Sequence, residues 1–352
     1  MNIALVLDPR FPGGTSSAVA QEVPILARDH DVTVYALETR HFKGRECNPR
    51  LAKALEAEGI DLIWAPKVVS AEIVVFHNPA ALKFDTQLDL RVVADQVYVV
   101  SHENFLRPVG APGFDANMAM GLIDQAVVAN HRLIAPVSAY NRANAAKWLE
   151  SEHCKLSGWA LAPYDWFNIC NFDLAEPTSN PRDRRGRMSR AGFEKFPSRK
   201  VMEQHFPAHA EKCLILGGNS LLDDPDDIPN HWEVHRFGAM GVSAFFQEVD
   251  FFIYFTNPCL RESFGRVIAE AIAAGKVVIT DPGTGSTFGP SVVTTEGDDI
   301  DAIVAGFVAE PSRYQDFVTQ AQTWLQRFSG DAFAADISKQ FKEIGQRPGA
   351  LL

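Results

Sequence analysis

With 352 residues, 46% of them hydrophobic and 22% charged, the chain has the make-up of a folded globular protein and the length of two domains of about 150 residues each. A net charge of −11 argues against broad nucleic-acid binding, which draws on counterion release at a basic surface. No apolar run approaches the ~18 residues that cross a bilayer, and the cysteines at 47, 154, 170, 213 and 259 are never spaced as a metal clip, so a reducing, cytoplasmic setting is expected.

The chain opens with MNIALVLD, a buried strand, followed by the glycine-bearing loop PRFPGG and a helix beginning near Thr15 to Ser17. Gly13 and Gly14 lie where free helix amides can meet a phosphate; a plain tight turn reads the same way. DVTVYAL, IDLIWA, EIVVFHN, VYVVSHEN and RLIAPVSA follow as strands, with helices NPRLAKALEAEG and YNRANAAKWLESE between some of them. Strands alternating with helices predict a parallel α/β sheet. His77 and Asn78 close one strand, and His102 and Glu103 close the next, on the carboxyl edge where such sheets bind ligands. The aromatics Trp159, Tyr164, Trp166 and Phe167 read as domain-edge packing.

CNFDLAEPTSNPRD, interrupted by Pro177 and Pro181, reads as a linker. These signals predict a first domain over 1–170, a linker over 171–183 and a second domain over 184–330. A basic island runs from Arg182 to Lys200, with eight cations against Asp183 and Glu194. In an otherwise acidic chain, such a cluster points to a small anionic ligand rather than a polyanion. KCLILGG, WEVHRFG, DFFIYF, VVIT and SVVTT supply the strands of a second sheet, and amphipathic helices close the chain.

The stretch RESFGRVIAEAIAAGKVVITDPGTG, residues 261–285, joins a loop, a helix and a strand in one unit. Gly265 lets the backbone approach a ligand, and the helix after it presents unpaired amides and a partial positive charge suited to a diphosphate. Glu262 stands at the helix mouth, with Glu270 roughly 80° further round and two turns on if both are helical. Carboxylates so spaced can accept hydrogen bonds from the hydroxyls of two sugars joined by a diphosphate.

This stretch resembles the glutamate, seven residues, glutamate signature of the retaining family 4 glycosyltransferases. The resemblance implies the GT-B fold: two Rossmann-like domains facing each other across a cleft, with the C-terminal helix, 331–352, crossing back to the N-terminal domain. It implies Glu262 for the donor sugar, Ser263, Phe264 and Gly265 for the diphosphate and Glu270 for the ribose. GRMSRAGFEK is similar to the family's Gly-Arg-Leu stretch, which implies Arg187 and a following cation, Lys195 or Arg190, on the diphosphate; the separation to Lys195 is longer than the family's. By the same resemblance Gly13 and Gly14 face the donor diphosphate, Gly238 and Met240 mark the nucleobase site, and His102 stands near the donor sugar. His77, Asn78 and Glu103 become candidates for the acceptor side.

The implied activity is transfer of a hexosyl group, with retention, from a nucleotide diphosphate sugar to a hydroxyl of a saccharide or lipid-linked acceptor. UDP is favoured over GDP only as the commoner carrier. Neither metal nor cofactor is expected, the resemblance placing the leaving group on cations and helix amides. No basic amphipathic stretch in the first half signals a membrane surface. A nucleotide-sugar epimerase of the same architecture and a non-catalytic nucleotide-sugar-binding subunit are the alternatives.

Overall fold

The computed structural model describes residues 1–11, 13–223 and 228–347; residues 348–352, the end of the expected C-terminal helix, lie outside the described residues. The chain divides into two compact units, Met1–Ile169 with Phe328–Leu352, and Cys170–Arg327. No helix among the described residues is long and apolar enough to cross a membrane.

The first unit begins with β1 (Asn2–Leu7), α1 (Gly14–Leu26), β2 (Asp31–Ala36), α2 (Pro49–Glu58), β3 (Leu62–Trp64) and β4 (Val68–His77). It continues through β5 (Arg91–Ser101), α3 (Ala116–Ala126), β6 (Val127–Pro136), α4 (Ala139–Glu150) and β7 (Trp159–Leu161). Seven parallel strands lie in the order β3-β2-β1-β4-β5-β6-β7. The apolar runs are continuous in β1 and in the carboxyl halves of β4 and β5, as expected where helices cover a parallel sheet on both faces. Residues Ile3–Leu7 are all buried, each large side chain contributing about 1.5–3 kcal/mol of burial.

Helix boundaries follow local chemistry. Asn48 accepts hydrogen bonds from the amides of Arg50 and Leu51, Pro49 opens α2, and Gly59 closes it at φ +65°. Between β3 and β4 the expected alternation fails, with only Ala65–Lys67 connecting the two strands. The amino-terminal part of β4, Val68–Ala71, instead pairs with Arg91–Ala94, and Val69 and Val92 enter the main core. Strand residues there bury the surface that a crossover helix would otherwise cover.

The second unit comprises β8 (Arg184–Met188), α5 (Arg199–His205), β9 (Lys212–Leu216), β10 (Trp232–His235), α6 (Val242–Gln247) and β11 (Phe251–Tyr254). After these come α7 (Arg266–Ala273), β12 (Val277–Thr280), α8 (Pro282–Gly285), β13 (Val293–Thr294), α9 (Ile300–Ala309) and α10 (Pro311–Leu325). Six parallel strands run β10-β9-β8-β11-β12-β13 around a core that includes Phe251, Ile253, Ile279, Phe307 and Tyr314.

The start of the basic island forms β8, a central strand, with Arg185 and Arg187 fully buried. Arg182, Arg184, Arg185, Arg190, Lys195 and Arg199 each lie against a carboxylate, respectively Glu211, Asp250, Asp183, Glu194, Glu262 and Glu203. Each of these six charges is thus balanced locally by a carboxylate.

The chain then returns to the first unit through α11 (Gly330–Gly345), capped by Ser329 on the amide of Ala332. Phe333, Ile337 and Phe341 of α11 are buried, and the Gln96 side-chain amide donates to the Phe341 carbonyl.

Candidate functional site

In both sheets the strand order reverses once, between β1 and β4 in the first unit and between β8 and β11 in the second. Loops leaving the carboxyl ends of such strand pairs diverge and open a crevice, the usual ligand position of doubly wound sheets. The sequence-predicted residues gather at these two places.

In the second unit, Arg187 comes from β8, Lys195 from the 3₁₀ turn after it, Tyr254 from the end of β11, and Glu262 from the loop leading to α7. Lys195 Nζ and the Tyr254 hydroxyl each lie 2.6 Å from Oε1 of Glu262. Burial alone would raise the Glu262 pKa, but the Lys195 charge and hydrogen bond, with the Tyr254 hydrogen bond, hold it below the ordinary glutamate value. Oε2 makes no hydrogen bond to any described residue.

Arg187 is enclosed by rings, with its guanidinium carbon 4.4 Å from the Phe196 centroid and 4.7 Å from that of Tyr254. None of its three side-chain nitrogens has a hydrogen-bond partner among the described residues, and burial lowers its pKa to about 10. Cation–π contact offsets part of this cost but leaves five N–H donors unused. Unpaired buried donors are rare enough that such a cluster in one unit marks a place built for something else to fill.

Gly265 caps α7 at φ +90°, a left-handed conformation, and no side chain caps the helix. Phe264 is buried edge-on against Phe288 at 5.6 Å, and Ser263 lies between Glu262 and Phe264 in the same loop. Glu270 stands one turn into α7 with Arg266 Nε at 3.2 Å. Arg190 is largely exposed and faces Glu194 at 3.2 Å, and its charge also helps to hold the Glu262 pKa down. Of the two cations left open by the sequence, Lys195 is the one brought to Glu262. Gly238 (φ +82°) and Met240 follow β10 at the surface, and the structure joins neither to the Glu262 cluster.

In the first unit, Gly13 is the N-cap of α1 and Gly14 its first residue, with no side-chain cap. Asn78, at φ +60°, donates to Thr15 Oγ1 at 3.1 Å, leaving its own Oδ1 and the Ser16 hydroxyl buried without partners among the described residues. His77 Nδ1 lies 3.1 Å from His102 Nε2, and His77 Nε2 lies 3.4 Å from Oε1 of Glu22 on α1. Trp166 Nε1 donates to the other oxygen of Glu22 at 3.0 Å. Burial, then the adjacent His77, hold the His102 pKa well below the usual histidine value. Glu103 is half-buried in the turn after β5.

No protein-family model matches the chain, and no curated protein matches it. Solved structures do. HepE of Anabaena in complex with UDP is 14% identical, with a TM-score of 0.65, over 97% of this chain and 100% of that one. Sucrose-phosphate synthase from Thermosynechococcus elongatus is 12% identical at 0.59, over 98% and 99%. An alpha-glucosyltransferase in complex with UDP-glucose and DNA is 11% identical at 0.57, over 98% and 100%. At these identities what is shared is the backbone architecture. The fold is GT-B.

Within this GT-B chain, three contributors escaped sequence reasoning. Tyr254, Glu22 and Trp166 carry no motif, and Glu22 and Trp166 are 144 positions apart. Only Tyr254 had an available signal: a hydroxyl at the carboxyl end of the strand entering the switch point.

Proposed function

We propose that the chain is a retaining glycosyltransferase of family 4, moving a hexosyl group from a nucleotide diphosphate sugar, UDP-linked, to an acceptor hydroxyl. The observation that carries this reading is the Arg187 guanidinium, buried with every donor unpaired among the described residues, packed on Tyr254 and within the field of Glu262, which Lys195 and Tyr254 hold ionised. A dianionic diphosphate supplies the acceptors this arrangement lacks.

In this reading the diphosphate takes hydrogen bonds from Arg187, Lys195 and the amides from Ser263 to Gly265, spreading the charge that develops as the glycosidic bond breaks. Glu262, already ionised, accepts from vicinal hydroxyls of the sugar through Oε2, and Glu270 from the ribose. In the first unit, the amides at the α1 start are suited to a phosphate and His102 to a sugar hydroxyl. Retention follows from attack on the face the leaving group departs, with the departing phosphate receiving the acceptor proton. These cations and amides do the work a divalent metal does in other transferases, so activity is expected to survive chelation. The acceptor is a saccharide or a lipid-linked saccharide, and the enzyme acts in the cytoplasm.

The test is a panel of UDP-, GDP- and ADP-sugars, first by thermal shift, then by product analysis with and without acceptor glycosides. A stabilising UDP-sugar, nucleoside diphosphate release that depends on acceptor, and an anomer unchanged in the product are expected. Conversion of the sugar nucleotide without acceptor, or binding without release, would overturn the reading.

A further inference from the structure

Asp8 and Asp85 are both buried in the first unit, close enough for the Asp8 charge to act on Asp85, yet they are served very differently. Asp8 accepts five hydrogen bonds, from the Arg10 amide, Nε and Nη2 and from the Thr39 amide and hydroxyl. Asp85 has one donor, the Arg40 amide, shared between its two oxygens at 3.2 and 3.3 Å. Burial raises the Asp85 pKa, against the hydrogen bond and charge of Arg40. Buried acceptors are seldom left with so much unused capacity, and this one borders an open space.

That space is a cavity of about 270 Å³ lined by residues 37–40, 65–67 and 85–90 together with Leu82. It draws on the loop after β2, the β3–β4 connection and the segment before β5, and none of the residues assigned above to donor or acceptor lines it. The volume falls just under the ~300 Å³ at which small-molecule pockets begin, room for one ring and not for a nucleotide sugar. Ala65 on its wall holds φ +46°, a left-handed conformation that only Asn78 shares among the described non-glycine residues. Strain of this kind persists where the surroundings override local preference, ligand clamps among them.

The lining narrows the class of guest. Leu37, Leu82 and Leu90 give the cavity a buried apolar surface. Glu38, Arg40, Lys67 and Asp89 stand exposed around it with charges that cancel, Lys67 and Asp89 as an ion pair. An anion would be set against Asp85, and a divalent cation would find one carboxylate where it needs several oxygen ligands. A hydroxyl suits Asp85 in either protonation state, because it can donate to a carboxylate and can both donate to and accept from a carboxylic acid. Hydroxyls arrayed round an apolar C–H face are the surface of a sugar ring.

We propose that this cavity is a subsite for one uncharged sugar ring, with Asp85 pairing with its hydroxyls and the leucines packing on its C–H face. That the ring belongs to the acceptor of the transfer rests on the function proposed above; the subsite itself does not.

The experiment is saturation-transfer difference NMR on the full chain with methyl pyranosides of the gluco, galacto, manno and N-acetylglucosamine series, and with inorganic phosphate as competitor. At least one glycoside is expected to receive saturation at millimolar concentration, undisturbed by phosphate. Asp85→Leu, which removes the acceptor at similar side-chain size, should weaken binding by roughly fivefold or more, the scale of one lost hydrogen bond. Thr86→Trp, at an exposed lining position, should abolish it with an unchanged urea midpoint, and decides the matter if Asp85→Leu does not fold. Silence across the panel, displacement by phosphate, or binding that survives either substitution in a folded protein overturns the subsite. A glycoside that binds where no UDP-sugar does sinks the transfer and leaves the subsite standing, and a UDP-sugar that is used while the glycosides stay silent does the reverse.

Discussion

The Lys195 ammonium sits on the same oxygen of Glu262 that accepts the Tyr254 hydroxyl, with both contacts at 2.6 Å. An ammonium has three donors and this one spends a single bond there, so it can keep Glu262 ionised and still reach a phosphate. Lys195→Met is expected to weaken UDP binding by roughly 10- to 100-fold, the scale of one charge-assisted hydrogen bond of about 1.5–3 kcal/mol. Arg190→Met, whose cation lies at the surface on Glu194, should change it by less than about threefold. Calorimetric titration of UDP into the two variants checks this, and equal losses would return Arg190 to the site.

Arg187 separates fold from function in a different way. Its charge is buried between Phe196 and Tyr254 without hydrogen bonds, an arrangement that costs stability rather than adding it. Arg187→Met should therefore leave the unfolding free energy unchanged or raise it by about 1–3 kcal/mol, while UDP affinity falls at least tenfold. Urea unfolding beside UDP titration reads both quantities. A variant that loses several kcal/mol and binds UDP normally would mark the arginine as structural.

His205, buried against Phe255, has its pKa lowered to about 4, first by burial and then by the nearby Arg187 and Arg185 charges. Between that value and the ordinary one near 6.5 the unfolded chain binds a proton the folded chain refuses. Stability must therefore fall as pH drops through this window, by on the order of 3 kcal/mol, and be flat above it. His205→Gln should flatten the slope. Glu262, with its pKa depressed, contributes in a lower range, losing its share only as pH falls below the usual carboxylate value.

Two glycines with similar backbone angles should behave differently. Gly217, at φ +90°, has the Ser189 carbonyl oxygen 1.8 Å from where a Cβ would lie, whereas Gly238, at φ +82°, has open space. Gly238→Ala is expected to cost about 1–2 kcal/mol from conformation alone, and Gly217→Ala to prevent folding of the second unit. Soluble yield and urea midpoints distinguish the two, and equal costs would mean the β8 and β9 ends can separate.

Strands such as KCLIL, FFIY and VVIT were legible because continuous apolar runs have few other uses; their alternation with helices implied parallel sheets, and the GT-B architecture came from the resemblance at residues 261–285. RRGRM was not legible as a strand, since its three arginines argue for solvent until one knows that Asp183, Asp250 and Asp301 stand against Arg184 and Arg185. The spacing from Arg187 to Lys195 looked too long because a 3₁₀ turn over Phe193–Lys195 lies between them in the fold, and turns of this kind leave little trace in hydropathy. The Glu22, His77 and Trp166 contacts join three distant segments, and pairing across such separations has no local signal.

Because α11 fills the core of the first unit, the order of synthesis and the order of completion differ. Phe341 packs on Tyr98 and Trp166, and Gln340 accepts from the Tyr164 amide, so the first sheet remains open along that flank until residues near 341 have left the ribosome. Residues 170–327, encoded in one uninterrupted run, face no such wait. Translation thus hands the cell a finished second lobe while the one begun earliest is still unsealed, and a stop codon near 328 leaves the second lobe whole and the first without its closing helix.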